Sequence, residues 1–518
     1  MMNIKQAKQE IVDTVQAYLL KNEYGEYVIP RVHQRPVLLL GAPGIGKTQI
    51  MEQAARECKV ALVAYTITHH TRQSAIGLPF ISKKEYGGKE YSATEYTMSE
   101  IVASIYDRMR ETGLTEGILF IDEINCVSET LAPAMLQFLQ CKTFGNHEIP
   151  EGWVIVAAGN PPEYNKSVRE FDVVTLDRIK RIDVQPDFEV WKEYAYEQGI
   201  HPAVISYLEL RRKNFYRMEN TVDGRIFATA RGWEDLSRLI QVYETLDKEV
   251  DREVVYQYIQ HPMIAKDFAA YLALYNKYKT DYAVEDLLQG KWTPITLGKI
   301  RNASLDEHLS IVGLLNGKLS QLFADCYFMD AYVTKLYGYM TEYRDNLPEM
   351  TLESIYKKAE NDFQIAKKSE LLTKNEEKVF IRTVDFLEKL WIELRGETGS
   401  EDKIENNKAV EISEKDTYEQ TKTAFTAEAD NLETQTEYIS QTLQNVFDFM
   451  EAAFGDSQEM VAFITELNAN YYSLWFIREN GSDQYYRHNK GLLFDDRQKL
   501  ILGQMEELEN TMKRGLKN

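Results

Sequence analysis

The chain has 518 residues, of which 44% are hydrophobic and 27% charged, a composition typical of globular proteins and a length too great for one hydrophobic core. Its net charge of -21 would repel a phosphate backbone, which argues against a general nucleic-acid binder. The apolar runs are no longer than strands, so no membrane span is expected.

Residues 1–20 carry acids and a helical apolar spacing (Ile4, Ile11, Val15, Leu19). A charged segment followed by an unbroken apolar core is the mark of a secretion signal, and it is not found here. Cys58, Cys126, Cys141 and Cys326 have no metal-ligand spacing and sit in apolar segments, so reduced, packed cysteines in a cytoplasmic protein are expected. Residues 3–22 read as an amphipathic helix. The next linker, with Pro30 and His33, enters an apolar run, Pro36-Val37-Leu38-Leu39-Leu40, that reads as a buried strand.

Directly after this strand, Gly41-Ala42-Pro43-Gly44-Ile45-Gly46-Lys47-Thr48 fits the phosphate-cradling pattern G-x-x-x-x-G-K-[ST], and a helical stretch opens at its end. Glycines let backbone N–H groups turn toward a polyphosphate, and the helix adds the positive end of its dipole. Lys47 is placed to reach the β/γ-phosphates of ATP and the Thr48 hydroxyl to ligate Mg²⁺. A guanine-specific relative would carry Asn-Lys-x-Asp, whereas Asn165-Lys166-Ser167-Val168 lacks the acid. ATP is therefore the expected nucleotide.

Residues 60–65 are apolar and β-branched enough for a second buried strand. Lys47 and Asp122 are 75 residues apart, where two helices and two strands with short loops need only about 50. The surplus is a predicted hairpin at residues 80–91, with Gly87-Gly88 at its tip; Phe80 or Tyr86 could face a client there, or the aromatics could pair across the hairpin or between subunits. His69-His70 suggests a metal only weakly, because adjacent strand residues point to opposite faces.

Gly117-Ile118-Leu119-Phe120-Ile121 leads into Asp122-Glu123, which is how a buried strand delivers two carboxylates at its tip. Asp122 would hold the metal through water and Glu123 would polarise the attacking water. A helix over residues 128–140 and a turn at Gly145-Asn146 precede another buried run, residues 153–159, ending at Asn160. That amide could orient the water or simply begin the turn into Pro161-Pro162. Residues 173–184 enter a last short strand, and Pro186 marks a boundary. Beyond it the pattern is helical with no further convincing strand; Arg231 stands where a helix starts, either facing the phosphates or pairing with Glu234 or Asp235.

This order of parts resembles an AAA+ ATPase over roughly residues 1–290, and Gly-Asn-Pro-Pro at 159–162 with Leu-Asp-Arg at 176–178 resembles the MoxR family in particular. The resemblance implies an α/β P-loop core with a parallel sheet (1–185) and an α-helical lid (186–290). It also implies a hexameric ring, chaperone-like ATP-driven remodelling of a protein client, and often a von Willebrand factor A domain partner. It makes Arg178 the arginine finger and Arg231 the lid arginine; Arg181 is the runner-up because a one-turn shift would present it instead, and Arg178 could otherwise merely pair with Asp177 or Asp183 at the surface. The remainder reads as an all-α extension: a helical block (291–395), an acidic flexible linker (396–430) and a second helical block (431–518). In the last, Ile439, Leu443, Val446, Phe447, Met450 and Phe454 share a helical face, as do Met460, Phe463, Ile464, Leu467, Tyr471 and Trp475. The competing functions are a nucleotide-dependent scaffold or defence switch with slow turnover and, against the charge, a nucleic-acid motor.

Overall fold

The structure is a computed structural model that describes all residues except 70–72, 74, 76, 145–146, 165–170, 172, 223, 399–413 and 491–518. The expected features at His70, at Gly145-Asn146 and at residues 165–168 lie outside the described residues. The chain divides into two compact units, the first formed by residues 1–190, 229–231 and 352–393, the second by 191–228, 232–351 and 394–518.

In the first unit, helix α1 (Ile4–Leu19) is started by Asn3, whose side chain accepts from the Gln6 backbone while Gln6 answers to the Asn3 backbone. This reciprocal cap satisfies two otherwise orphaned N–H groups. Strand β1 (Val37–Gly41) leads to helix α2 (Lys47–Cys58), and β2 (Ala61–Thr66) comes after it. Strands β3 (Pro79–Tyr86) and β4 (Lys89–Tyr96) pair antiparallel as a separate hairpin. Gly87 and Gly88 both have positive φ, 59° and 79°, the conformation that a two-residue turn matching strand twist demands. Helix α3 (Glu100–Thr112), strand β5 (Gly117–Asp122) and helix α4 (Ala132–Cys141) come next. Two-residue strands β6 (Thr143–Phe144) and β7 (His147–Glu148) form a small second hairpin, then β8 (Trp153–Gly159) and β9 (Lys180–Val184) complete the series.

The main sheet has five parallel strands in the order β2-β5-β8-β1-β9. A parallel sheet is covered on both faces, so its central strands are apolar throughout. Ile118, Leu119, Phe120 and Ile121 of β5 are all fully buried, and every residue of β8 is buried. Each Ile, Leu, Val or Phe among them contributes about 1.5–3 kcal/mol by leaving water. The helix expected over 128–140 begins later, at Ala132, behind a 3₁₀ turn at Ile124–Cys126; Pro133 fits the first helical turn, where its missing N–H costs nothing.

Helices Leu352–Lys368 and Lys374–Thr398 return the chain to the first unit, where residues 352–393 belong. The sequence grouped this pair with the residues before it, because helical periodicity says which face is apolar and not what it packs against. Tyr356 and Trp391 stack at 5.6 Å, Phe363 meets Phe380 at 5.8 Å, and Glu370 pairs with Arg108 of α3. A cavity of about 800 Å³ beside edge strand β2 is lined by Leu62, Val63, Arg56, Arg108 and Glu370, among others.

The second unit is chiefly helical, with one correction to the sequence reading. Strands β10 (Arg217–Thr221) and β11 (Gly224–Ala228) form an antiparallel hairpin in a stretch expected to hold no strand. Its alternation was hidden because none of its side chains but Ala228 is buried. Tyr207, Trp233, Phe268 and Tyr271 form an aromatic core with ring centroids 5.1–5.6 Å apart. Lys192, 1% exposed at its side chain, is held by Glu209 at 2.7 Å and Glu466 at 2.6 Å.

Two helices of 41 residues, Leu305–Asp345 and Glu414–Phe454, pack on one another. The second corrects the expected linker, since residues 414–430 are helical. They are poor in aliphatic groups, but Tyr418 and Phe425 meet Tyr343 and Tyr337 at 5.4 and 6.1 Å, and buried Thr421 bonds back to the Thr417 carbonyl. A stripe of two rings and a threonine at near-heptad spacing is enough to seat a helix on a long partner. The stripes expected to be core are so at Ile439, Leu443, Val446, Phe447, Met450, Met460, Phe463, Ile464 and Leu467, while Tyr471 is 50% exposed. Among the described residues no helix is long and apolar enough to cross a membrane.

Candidate nucleotide site

The carboxyl ends of β1, β8 and β5 converge, because the register pairs Leu40 with Gly159 and Ile121 with Ala157. The residues just past each strand are thereby delivered to one edge of the sheet, the crevice where open α/β sheets bind ligands. At the end of β1 stands the loop of residues 41–48. Gly44 and Gly46 take φ of 73° and 92°, and α2 starts at Lys47 directly after Gly46, an N-cap residue with no side chain to cap it. That leaves a bent loop and a helix N-terminus ready for a polyphosphate.

Lys47 is 8% exposed. Its Nζ donates to the carbonyl oxygens of Gly41 and Ala42 and to Oδ1 of Asn160, each at 2.9 Å. Burial pushes its ammonium down to about 8; the charge of Asp122 works the other way, that of Arg231 lowers it further, and that of Glu123 raises it. The Thr48 hydroxyl donates to Oδ2 of Asp122 at 3.1 Å, so a hydroxyl and a carboxylate, hard oxygen donors of the kind Mg²⁺ prefers, already touch. Thr48 and Asp122 fit the metal expected of them.

Glu123 adopts a left-handed backbone, φ 58° and ψ 34°, and its N–H donates to Oδ1 of Asp122 at 2.9 Å. A glutamate there costs about 1–3 kcal/mol of strain, and it turns consecutive carboxylates in different directions. Arg231 approaches through its backbone: its N–H donates to the Gly44 carbonyl at 3.2 Å, and a side chain on Gly44 would crowd Thr229 at 3.3 Å. Glu234 and Asp235, the acids nearest to Arg231 along the helix, both pair with Arg238.

The structure thus brings together residues 41–48, Asp122, Glu123, Asn160 and Arg231. It does not bring Arg178 to them: Nη1 of Arg178 donates to Oε1 of Gln140 on α4 at 2.6 Å, rather than to Asp177 or Asp183. Arg181 pairs with Asp183. One residue escaped the sequence reading. Asn125 is 4% exposed and its Nδ2 donates to the Asn160 carbonyl at 2.8 Å. Its signal was an amide two residues past an acidic pair, too common a pattern to notice without knowing that β5 and β8 are neighbours.

Residues 36–179 match the AAA domain of the dynein-related subfamily, so the phosphate loop and its parallel sheet are an AAA core. No curated protein matches the chain. Among solved structures, C. elegans PCH-2 overlaps at 16% identity and a TM-score of 0.23, over 40% of this chain and 48% of that one. Two point mutants of Thermotoga maritima RuvB overlap at 13% identity with TM-scores of 0.29 and 0.27, over 50% of this chain and 70% of each. The chain therefore spans about half the length of PCH-2, and overlap at these scores bears on neither its activity nor its partners.

Proposed function

We propose that this chain is an ATP-hydrolysing AAA+ protein of the MoxR type, working in the cytoplasm as a ring, hexameric by that resemblance, that remodels or activates a partner protein. The observation that carries the reading is the network in which buried Lys47 bonds to Asn160 and Thr48 bonds to Asp122. It gathers a cation, two hard oxygen donors and an amide at the ends of neighbouring strands, the set that phosphoryl transfer to water uses.

When bound, Mg-ATP supplies the γ-phosphoryl group and the metal charge that offsets its oxygens. Lys47 would meet the phosphate oxygens, and Thr48 and Asp122 would hold the metal. Glu123 takes the proton of the attacking water. Asn160 orients that water through its amide. Arg231 supports the phosphates from the first turn of helix Ala230–Thr245. Arg178, turned to Gln140 within its own chain, is available to complete the site of the next subunit in a ring as its arginine finger.

A von Willebrand factor A domain protein is the partner class the resemblance favours. Steady-state turnover tests the function: a remodeller hydrolyses ATP continuously and accelerates with its client. A chain that binds ATP once, releases little phosphate and stays loaded is a scaffold or switch, and that outcome overturns the proposal.

A further inference from the structure

Strand β5 ends at Asp122 and β8 at Gly159, and the side chain that links the segments beyond these two strand ends is Asn125. Its amide nitrogen donates to the Asn160 carbonyl at 2.8 Å. A Cβ added to Gly159 would stand 2.5 Å from Oδ1 and 2.8 Å from Cγ of Asn125, so the amide lies directly against the backbone of residue 159, and only glycine leaves it that room. Oδ1 of Asn125 is buried and has no hydrogen-bond partner among the described residues.

A buried acceptor without a donor costs stability. An apolar side chain of the same shape would remove that acceptor but also the donor to the Asn160 carbonyl, so the hydrogen bond that Asn125 does make goes to holding Asn160. Asn160 is held at two points, its backbone oxygen by Asn125 and its Oδ1 by Lys47 at 2.9 Å. Its Nδ2 then remains to donate toward whatever occupies the loop.

We infer that Asn125 is a positioning residue for ATP hydrolysis: it clamps the peptide of Asn160 so that the acidic end of β5 and the amide end of β8 move as one body. It touches no reacting atom. The inference rests on the reading of Asn160 as the amide that orients the attacking water. Misplacing such a group by about 1 Å costs roughly 100-fold in rate, while ATP affinity, set by the loop and Lys47, stays.

The test compares the full chain with Asn125→Leu, Asn160→Ala, the double variant and Gly159→Ala, measuring ATP turnover, affinity for a fluorescent ATP analogue and thermal unfolding. Asn125→Leu should keep affinity within about threefold and Tm within a few degrees while kcat falls about 10- to 100-fold. The double variant should be no slower than Asn160→Ala, since the clamp acts only through Asn160. Gly159→Ala should reproduce Asn125→Leu, because its methyl group displaces the amide, and it decides the matter if Asn125→Leu does not fold. Unchanged kcat in Asn125→Leu, losses that multiply in the double variant, or affinity and Tm falling along with kcat overturn the clamp alone. Full kcat in Asn160→Ala overturns the reading of Asn160 beneath it.

Discussion

Lys47 is the residue on which the nucleotide site depends most directly, because its ammonium is buried and already bonds to three oxygens. Lys47→Ala removes the one side-chain cation of the loop, and ATP affinity is expected to fall below detection in a calorimetric titration; unchanged affinity would mean that the loop does not hold phosphate. Glu123→Gln keeps shape and left-handed backbone but loses the base. Binding of Mg-ATP should survive while turnover falls by about 10²–10⁴, the range of a general base, and a loss of less than about tenfold would assign that role elsewhere. Most of this site was legible in the sequence, since the phosphate loop and the Asp122-Glu123 strand end carry their chemistry in fixed spacing. Asn125 was not, because its meaning comes from a neighbour in the sheet 35 residues away. The contacts of Arg178 were hidden for a similar reason: its partner Gln140 lies on α4, whereas sequence proximity offered Asp177 and Asp183.

Among the elements, the β3–β4 hairpin stands apart from the main sheet. Phe80, Ile81, Tyr86 and Tyr91 are 46%, 77%, 57% and 51% exposed, and Tyr86 meets Tyr91 across the strands at 6.1 Å. Cross-strand pairing accounts for these two tyrosines, while Phe80 and Ile81 remain exposed. Deleting residues 84–89 is expected to spare basal ATP turnover and to abolish its stimulation by the client, and loss of basal turnover in intact rings would make the hairpin a structural part. The long helix Glu414–Phe454 allows a stability test. Phe447 is fully buried and packs edge-on against Phe463 at 5.2 Å, so Phe447→Ala should cost about 3–5 kcal/mol in denaturant unfolding, and a cost under about 1 kcal/mol would mean that the stripe is not core. Strands with unbroken apolar runs were readable, as were helices with dense stripes. The β10–β11 hairpin and residues 414–430 were not, because one buries almost nothing and the other is seated by aromatic rings where aliphatic ones were sought.

For the whole molecule the decisive experiment is one of mixing. If Arg178 serves the neighbouring subunit, Arg178→Ala alone binds ATP and hydrolyses it poorly, since such an arginine is worth about 10³–10⁵ in rate. Mixed with Lys47→Ala subunits in assembled rings, it should regain activity, because some sites then pair an intact loop with an intact finger. No recovery in verified mixed rings, or full activity of Arg178→Ala by itself, would rule out the assignment and turn attention to Arg181.

The first unit closes only with residues 352–393, among them Ile355, Ala359 and Leu387, all fully buried. A ribosome that has just released the phosphate loop must therefore add roughly 340 more residues before the last of these appear, about 20–70 s at ordinary rates of synthesis. Throughout that interval edge strand β2 lacks the helices that border it in the finished molecule, and an unpaired strand edge invites association with other chains. The nascent protein thus exposes this edge long before residues 352–393 arrive beside it.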